Sequence, residues 1–134
     1  MEASLTSASS RRLAAALAGR LGLAVPLPCT VGAVGDQVVV RGASGSACWS
    51  SVSQILYDDD GRALEERTET IVRSVLSMVQ DCVMEESAAP WPVTPDGVLG
   101  MPGARVGDSL VRLWFGHEAT PAITFPPIGF AEIR

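Results

Sequence analysis

Three cysteines and one histidine are the residues of this chain best suited to chemistry, and their spacing argues against most of it. Cys29, Cys48 and Cys82 are odd in number, widely separated and without a C-x-x-C pair, and His117 is the only histidine. A zinc site wants four N, S or O donors, usually delivered as closely spaced pairs, so no metal is expected. A disulfide framework is not expected either, because scattered thiols of this kind read as the reduced cysteines of a cytoplasmic protein. Nucleophilic catalysis would need a Ser or Cys beside a base. Cys48 or Cys82 can be drawn with His117 and a carboxylate, but no G-x-S-x-G elbow is present. His117 stands in Gly116-His117-Glu118-Ala119, where an exposed turn histidine is the simpler reading. No catalytic residue and no cofactor are assigned.

Other constellations fail on residue type. Asp58-Asp59-Asp60-Gly61 has the start of a calcium loop, yet the EF-hand template then requires ligands where Leu56 and Arg67 stand. Gly42-Ala43-Ser44-Gly45-Ser46 could cradle an anion with backbone amides, but it lacks the lysine of a P-loop and reads as a hairpin turn. The chain contains no lysine at all, which removes Schiff-base chemistry. It also contains no asparagine, and the avoidance of both A-rich codon sets points to a GC-rich, bacterial genome.

Charge narrows the partners. The chain carries a net charge of −5 with a pI near 4.7, and an acidic surface repels phosphate backbones and anionic headgroups, so nucleic acid and membrane are poor candidates. The acidity is local: nine carboxylates and three arginines lie between Asp58 and Glu86. Arg11, Arg12 and Arg20 make the N-terminal segment basic by contrast, an asymmetry able to steer one copy towards another. Apolar stretches fall short of the roughly 20 residues that span a bilayer. Met1 to Ser10 lacks the basic start of a signal peptide, so the expected location is cytoplasmic.

The elements that would position these residues follow from periodicity. The length of 134 residues suits one domain. Ser9 or Ser10 is expected to cap a helix through about Leu21, with Leu13, Ala16, Leu17 and Leu21 on its apolar stripe and Gly22 as its stop. Residues 37–41 read as a strand and 47–57 as its longer return, although Trp49, Val52 and Leu56 also fit a helical stripe. One of Asp58 to Asp60 is expected to cap a helix over about 62–86, where Val72, Val75, Leu76, Val79 and Val83 form the core stripe. Along it, Arg62 with Glu66 and Glu69 with Arg73 have the spacing of helical ion pairs. Residues 87–108, with four prolines, four glycines and Trp91, read as one long loop. Strands are expected over 109–115 and 122–125, with a short one possible over 128–133. The expected fold is α+β, order α-β-β-α-β-β(-β), with two helices on one face of an antiparallel sheet of four or five strands.

The strand after the loop is the most informative. Val111, Leu113 and Phe115 can face the core while Leu110, Arg112 and Trp114 share the other face, so both faces are largely apolar. A second cover is needed, either the loop carrying Trp91 or another chain. Trp91, Leu110, Arg112 and Trp114 are therefore the candidate binding residues. The expected function is a small acidic binding or adaptor protein without catalytic activity, partnering itself as a homodimer or another protein. In length, acidity and order of elements it resembles the secretion-chaperone class of small α+β dimers. That resemblance is of architecture and implies chaperone-like binding. Two other readings fit the same residues. One is a small-ligand binder or enzyme with a pocket under the 87–108 loop, using Cys48, His117 and Arg112, and the other is a phage-type or assembly subunit.

Overall fold

The structure is a computed structural model that describes residues 5–57 and 61–134. Helix α1 spans Ser7–Leu21. Its cap is Thr6 rather than Ser9 or Ser10: the Thr6 hydroxyl accepts from the Ser9 amide, and the Ser9 hydroxyl accepts from the Thr6 amide. Ser9 and Ser10 are buried within the first turns. Leu13, Ala14, Leu17 and Leu21 turn inward at helical spacing, and Gly22 takes the C-cap.

Three strands follow: β1 (Thr30–Val34), β2 (Gln37–Arg41) and β3 (Ala47–Ser51). They pair antiparallel in the order β1-β2-β3. β1 was outside the expected elements, because Thr30-Val31-Gly32-Ala33-Val34 follows two prolines and offers neither alternation nor bulk. Its partner β2 organises it through a two-residue turn in which Gly35 takes φ 60°. The ambiguous 47–57 segment divides. Its first half is β3, and its second half is a 3-10 turn over Ser53–Leu56 that sinks Val52 and Ile55 into the core.

Helix α2 spans Leu64–Ser87. The expected aspartate cap falls on Asp58 to Asp60, outside the described residues, and the N-cap position is Ala63, which makes no side-chain cap bond. Glu65 and Glu66 occupy the first turn, where carboxylates favour the positive end of the helix dipole. The helix ends at Ala88 in the left-handed conformation, φ 55°.

The expected long loop is shorter than 87–108. Residues 92–100 form a tight hairpin, with a Val93–Leu99 bridge, Thr94 N–H on Val98 O at 2.8 Å and Gly100 N–H on Pro92 O at 2.8 Å. Buried Gln80 of α2 anchors it by donating to Gly100 O at 2.7 Å. From Pro102 the chain is strand again: β4 (Pro102–Gly107), β5 (Leu110–Gly116), β6 (Pro121–Thr124) and the short β7 (Ile128–Gly129). Proline and three glycines in 100–107 hide β4 from a propensity reading. Residues 128–133 are strand only for their first two positions and then turn as a 3-10 segment over Phe130–Glu132.

The class is α+β, but there are two antiparallel sheets rather than one. β4, β5 and β6 pair in that order, and β7 adds to the other end of β5. One reason the sheets stay apart lies on the edge of β4. Glu69 Oε1 accepts from Val106 N–H at 2.8 Å, and Arg73 donates to Ala104 O at 3.4 Å. Glu69 and Arg73, spaced to pair along the helix, instead occupy backbone groups that another strand would use. Both helices and the inner faces of both sheets meet in one apolar cluster that includes Leu17, Val38, Val75, Leu76, Leu113 and Phe115.

Candidate functional site

β5 shows the alternation its sequence implies. Val111, Leu113 and Phe115 are buried, while Leu110 and Trp114 are half-buried and Arg112 is exposed on the other face. Across the β4–β5 register that outer face continues as Gly103 opposite Trp114, Arg105 opposite Arg112 and Gly107 opposite Leu110. Trp114 lies flat over Gly103, where a Cβ would overlap the indole ring. Its Nε1 donates to Gly116 O at 3.1 Å. A cross-strand aromatic shielding a strand glycine is a known way to stabilise a sheet face. Trp114 therefore covers its own sheet.

Trp91 is not on that face. Its ring meets Phe115 edge-on at 5.3 Å, and Phe115 meets Phe125 at 6.0 Å. The proline-rich segment thus packs on the inner side of β5 and leaves Leu110, Arg112 and Trp114 without it. Of the four candidate binding residues, three come together and one is separated from them by the thickness of the sheet.

Electrostatics single out Arg112. Directly opposite, Arg105 grips Glu118 with both Nε and Nη2, at 2.7–3.1 Å, and this bonded carboxylate holds the guanidinium protonated above its ordinary range. Arg112 makes no hydrogen bond or ion pair among the described residues. It lines a cleft of about 380 Å³ together with Trp114, Pro121, Phe125, Pro127 and Glu118, whose carboxylate is the one held by Arg105. The cleft joins an uncommitted cation to an apolar wall, a pairing suited to a ligand that carries a carboxylate beside an apolar group.

Among known proteins the chain matches no family model, no curated protein and no solved structure.

The residues with chemical potential are dispersed. Cys48 and Cys82 form a disulfide with Cα atoms 6.3 Å apart, which corrects the expectation of reduced, unpaired thiols. The sequence offered no signal for this pairing, since Cys48 sits mid-strand, Cys82 mid-helix, and only the packing of β3 on α2 joins them. One turn further along α2, Glu86 Oε1 accepts from Ser44 at 2.7 Å and from Ser46 at 3.0 Å. The glycine-serine turn is thereby fastened to the helix. Cys29 is the remaining thiol and is buried; burial, then the charge of Glu86, pushes its pKa up and keeps it protonated.

His117 borders a different cavity, about 570 Å³, beside the 92–100 hairpin with Val98 and Met101. Cys48, His117 and Arg112 thus line separate cavities and do not form a joint site. The basic N-terminal helix is also partly committed. Arg20 bonds Pro126 O at 2.9 Å, Pro127 O at 2.8 Å and Glu132 at 3.1 Å, and Arg12 bonds Arg134 O at 2.7 Å. These arginines hold the C-terminal segment on α1. Among the described residues no group of three His, Cys, Asp or Glu is arranged to hold a metal, and no helix is long and apolar enough to cross a membrane.

Proposed function

We propose that this protein works by binding, as an adaptor or chaperone-like module, and that the outer face of β5 with its adjoining cleft is the contact surface. Its ligand is a protein segment bearing an acidic residue next to an apolar one. The observation that carries this reading is Arg112, an exposed guanidinium without a hydrogen-bond or ion-pair partner among the described residues, beside a cleft walled by Trp114, Pro121, Phe125 and Pro127 and bordered by the Arg105-bound Glu118. A carboxylate reaching Arg112 gains a charge-assisted bond, and the neighbouring apolar side chain gains burial in the cleft. The chain is net acidic, and an uncommitted arginine beside an apolar cleft favours an anionic group.

Selection from a displayed library of random peptides tests the reading. Enriched sequences should share Asp or Glu beside an apolar residue, and Arg112→Glu should bind them at least about tenfold more weakly, as expected for a charged hydrogen bond of about 1.5–3 kcal/mol. Failure to enrich any sequence, or equal binding by Arg112→Glu, would remove the proposal. A small-ligand function beside the 92–100 hairpin is the second reading, favoured by the cavity of about 570 Å³ there. Of Cys48, His117 and Arg112, His117 alone lines that cavity.

A further inference from the structure

Ladder register shows which backbone groups the first sheet leaves unused. Val52 N–H bonds Asp36 O, and Gly42 N–H bonds Ser46 O, which fixes the alternation along β2. Val38 and Val40 turn their N–H and C=O groups to β3, while Gln37, Val39 and Arg41 turn theirs to β1. Across the β1–β2 register, Thr30, Gly32 and Val34 are therefore bonded to β2. Val31 and Ala33 point their N–H and C=O groups out of the sheet. Neither backbone has another hydrogen-bond partner among the described residues.

Edges of this kind are normally blunted by charge, proline, bulges or cover. β1 contains no charged residue and no proline, and its register with β2 is unbroken. The other edges differ. β4 is closed by Glu69 and Arg73, and its Pro102 has no N–H. β6 is four residues long, opens on Pro121 and is followed by Pro126 and Pro127. β3 is joined to α2 through Cys48–Cys82 and carries Trp49 with Arg41 stacked on it at 5.8 Å. α1 packs beside β1, and at its C-cap Gly22 a Cβ would stand 3.7 Å from Val31 O. The segment leading into β1 carries Leu23 and Leu27, exposed at 85% and 88%.

We propose that β1 pairs with β1 of a second copy, antiparallel, about a two-fold axis through Gly32. Val31 then stands opposite Ala33 of the second copy, and every outward N–H and C=O of these residues finds a partner. Gly32 faces its own counterpart as the close pair of the ladder, at about 4.5 Å between Cα atoms. That position has open space around it within one copy and lacks the Cβ that would crowd the axis. Charge permits the match: Thr30 meets Val34, so the row begins at Arg41 of one copy and ends at Gln37 of the other, and the two Arg41 side chains are kept apart. Trp49, buried Val39 and Gly32 stand in register across the sheet, and that row continues through the axis to their counterparts. A strand centred on a glycine and free of charge is self-complementary, which favours a second copy over an unrelated strand. The interface uses neither Arg112 nor Trp114, so it stands or fails separately from the function proposed above.

Light scattering across a dilution series tests it, because a homodimer's mass depends on concentration around its dissociation constant. The full chain should approach twice its monomer mass at about 100 µM. Gly32→Glu and Gly32→Lys should each be monomeric, with the melting temperature of the dilute, monomeric parent chain, since each places like charges across the axis. An equimolar mixture of the two should return to the dimer mass. Ala33→Pro, which removes an outward N–H without touching the ladder to β2, should also be monomeric. Should a Gly32 variant misfold, amide exchange in the unaltered chain decides: Val31 and Ala33 should be protected when concentrated and exchange when dilute. A chain that is monomeric throughout, a dimer that survives the Gly32 substitutions, a mixture that stays monomeric, or exchange at Val31 and Ala33 independent of concentration would each overturn the proposal.

Discussion

The two sheets share one core but differ in what they leave unsatisfied. On the first, Arg41 is stacked on Trp49, which is 48% exposed, and the outward groups of β1 have no partners among the described residues. On the second, Trp114 lies on Gly103, the edge of β4 is capped by α2, and Arg112 stands without a partner among the described residues. One sheet leaves backbone uncommitted, and backbone selects an extended strand. The other leaves a side chain uncommitted beside an apolar cleft, and side chains select by chemical type. The two proposals accordingly place self-pairing and recognition on different surfaces of one small protein.

The largest expected effect tests whether the sheets truly share a core. Phe115 is fully buried between Trp91 and Phe125, and Phe115→Ala should lower stability by about 3–5 kcal/mol. Chemical denaturation followed by tryptophan fluorescence and by far-UV circular dichroism should give coincident transitions. Two separated transitions would split the sheets into independent units.

Next comes the tie that fastens the first sheet to α2. The Cys48–Cys82 bond closes a sequence separation of 34 residues, so replacing both cysteines with serine should lower stability by about 2–4 kcal/mol. Thiol titration of the unfolded, unreduced chain should find Cys29 alone. Three reactive thiols in that state would return the cysteines to the reduced condition that their spacing suggested.

A matched pair of glycines sharpens the contrast between outer faces. Gly103→Ala drives a Cβ into the Trp114 ring and should cost about 1–3 kcal/mol with a shifted indole N–H resonance. Gly32→Ala enters open space and should change the stability of the isolated copy by less than about 0.5 kcal/mol. Equal costs at the two positions would contradict the packing described for Trp114.

The smallest effect concerns the C-terminal segment held on α1. The Gly129 amide, and after it Arg20, hold the Glu132 carboxyl below its ordinary value of 4.5. A depressed folded pKa means that the carboxylate stabilises above the unfolded value and that this contribution fades as pH falls through the folded one. Melting temperatures measured from pH 6 down to about pH 3 should therefore fall less steeply for Glu132→Gln than for the unaltered chain.

How much of this was legible in the sequence depends on whether the signal is local. The α2 stripe from Val72 to Val83 and the β5 alternation are carried by neighbours along the chain, and both elements form where periodicity puts them. β1 and β4 escaped because glycine and proline mask strands whose stability comes from the adjacent strand. The single expected sheet became two partly through Glu69 and Arg73, whose spacing suggested a helical ion pair and whose actual partners lie on β4. The same limit governs the site. Leu110, Arg112 and Trp114 share a face because strand geometry requires it, whereas Trp91 went to the opposite face through the Gln80 anchor and its contact with Phe115. Nothing in the sequence around Cys48 or Cys82 announces the other, since their meeting is a property of how β3 lies on α2.

The most direct test of the account is the affinity of a selected acidic-apolar peptide, measured by calorimetry, for two charge reversals, one on each sheet. Arg112→Glu should weaken binding at least about tenfold, while Arg41→Glu on the first sheet should leave it within about twofold. Equal losses from both substitutions, or a larger loss from Arg41→Glu, would contradict the assignment of recognition to the second sheet.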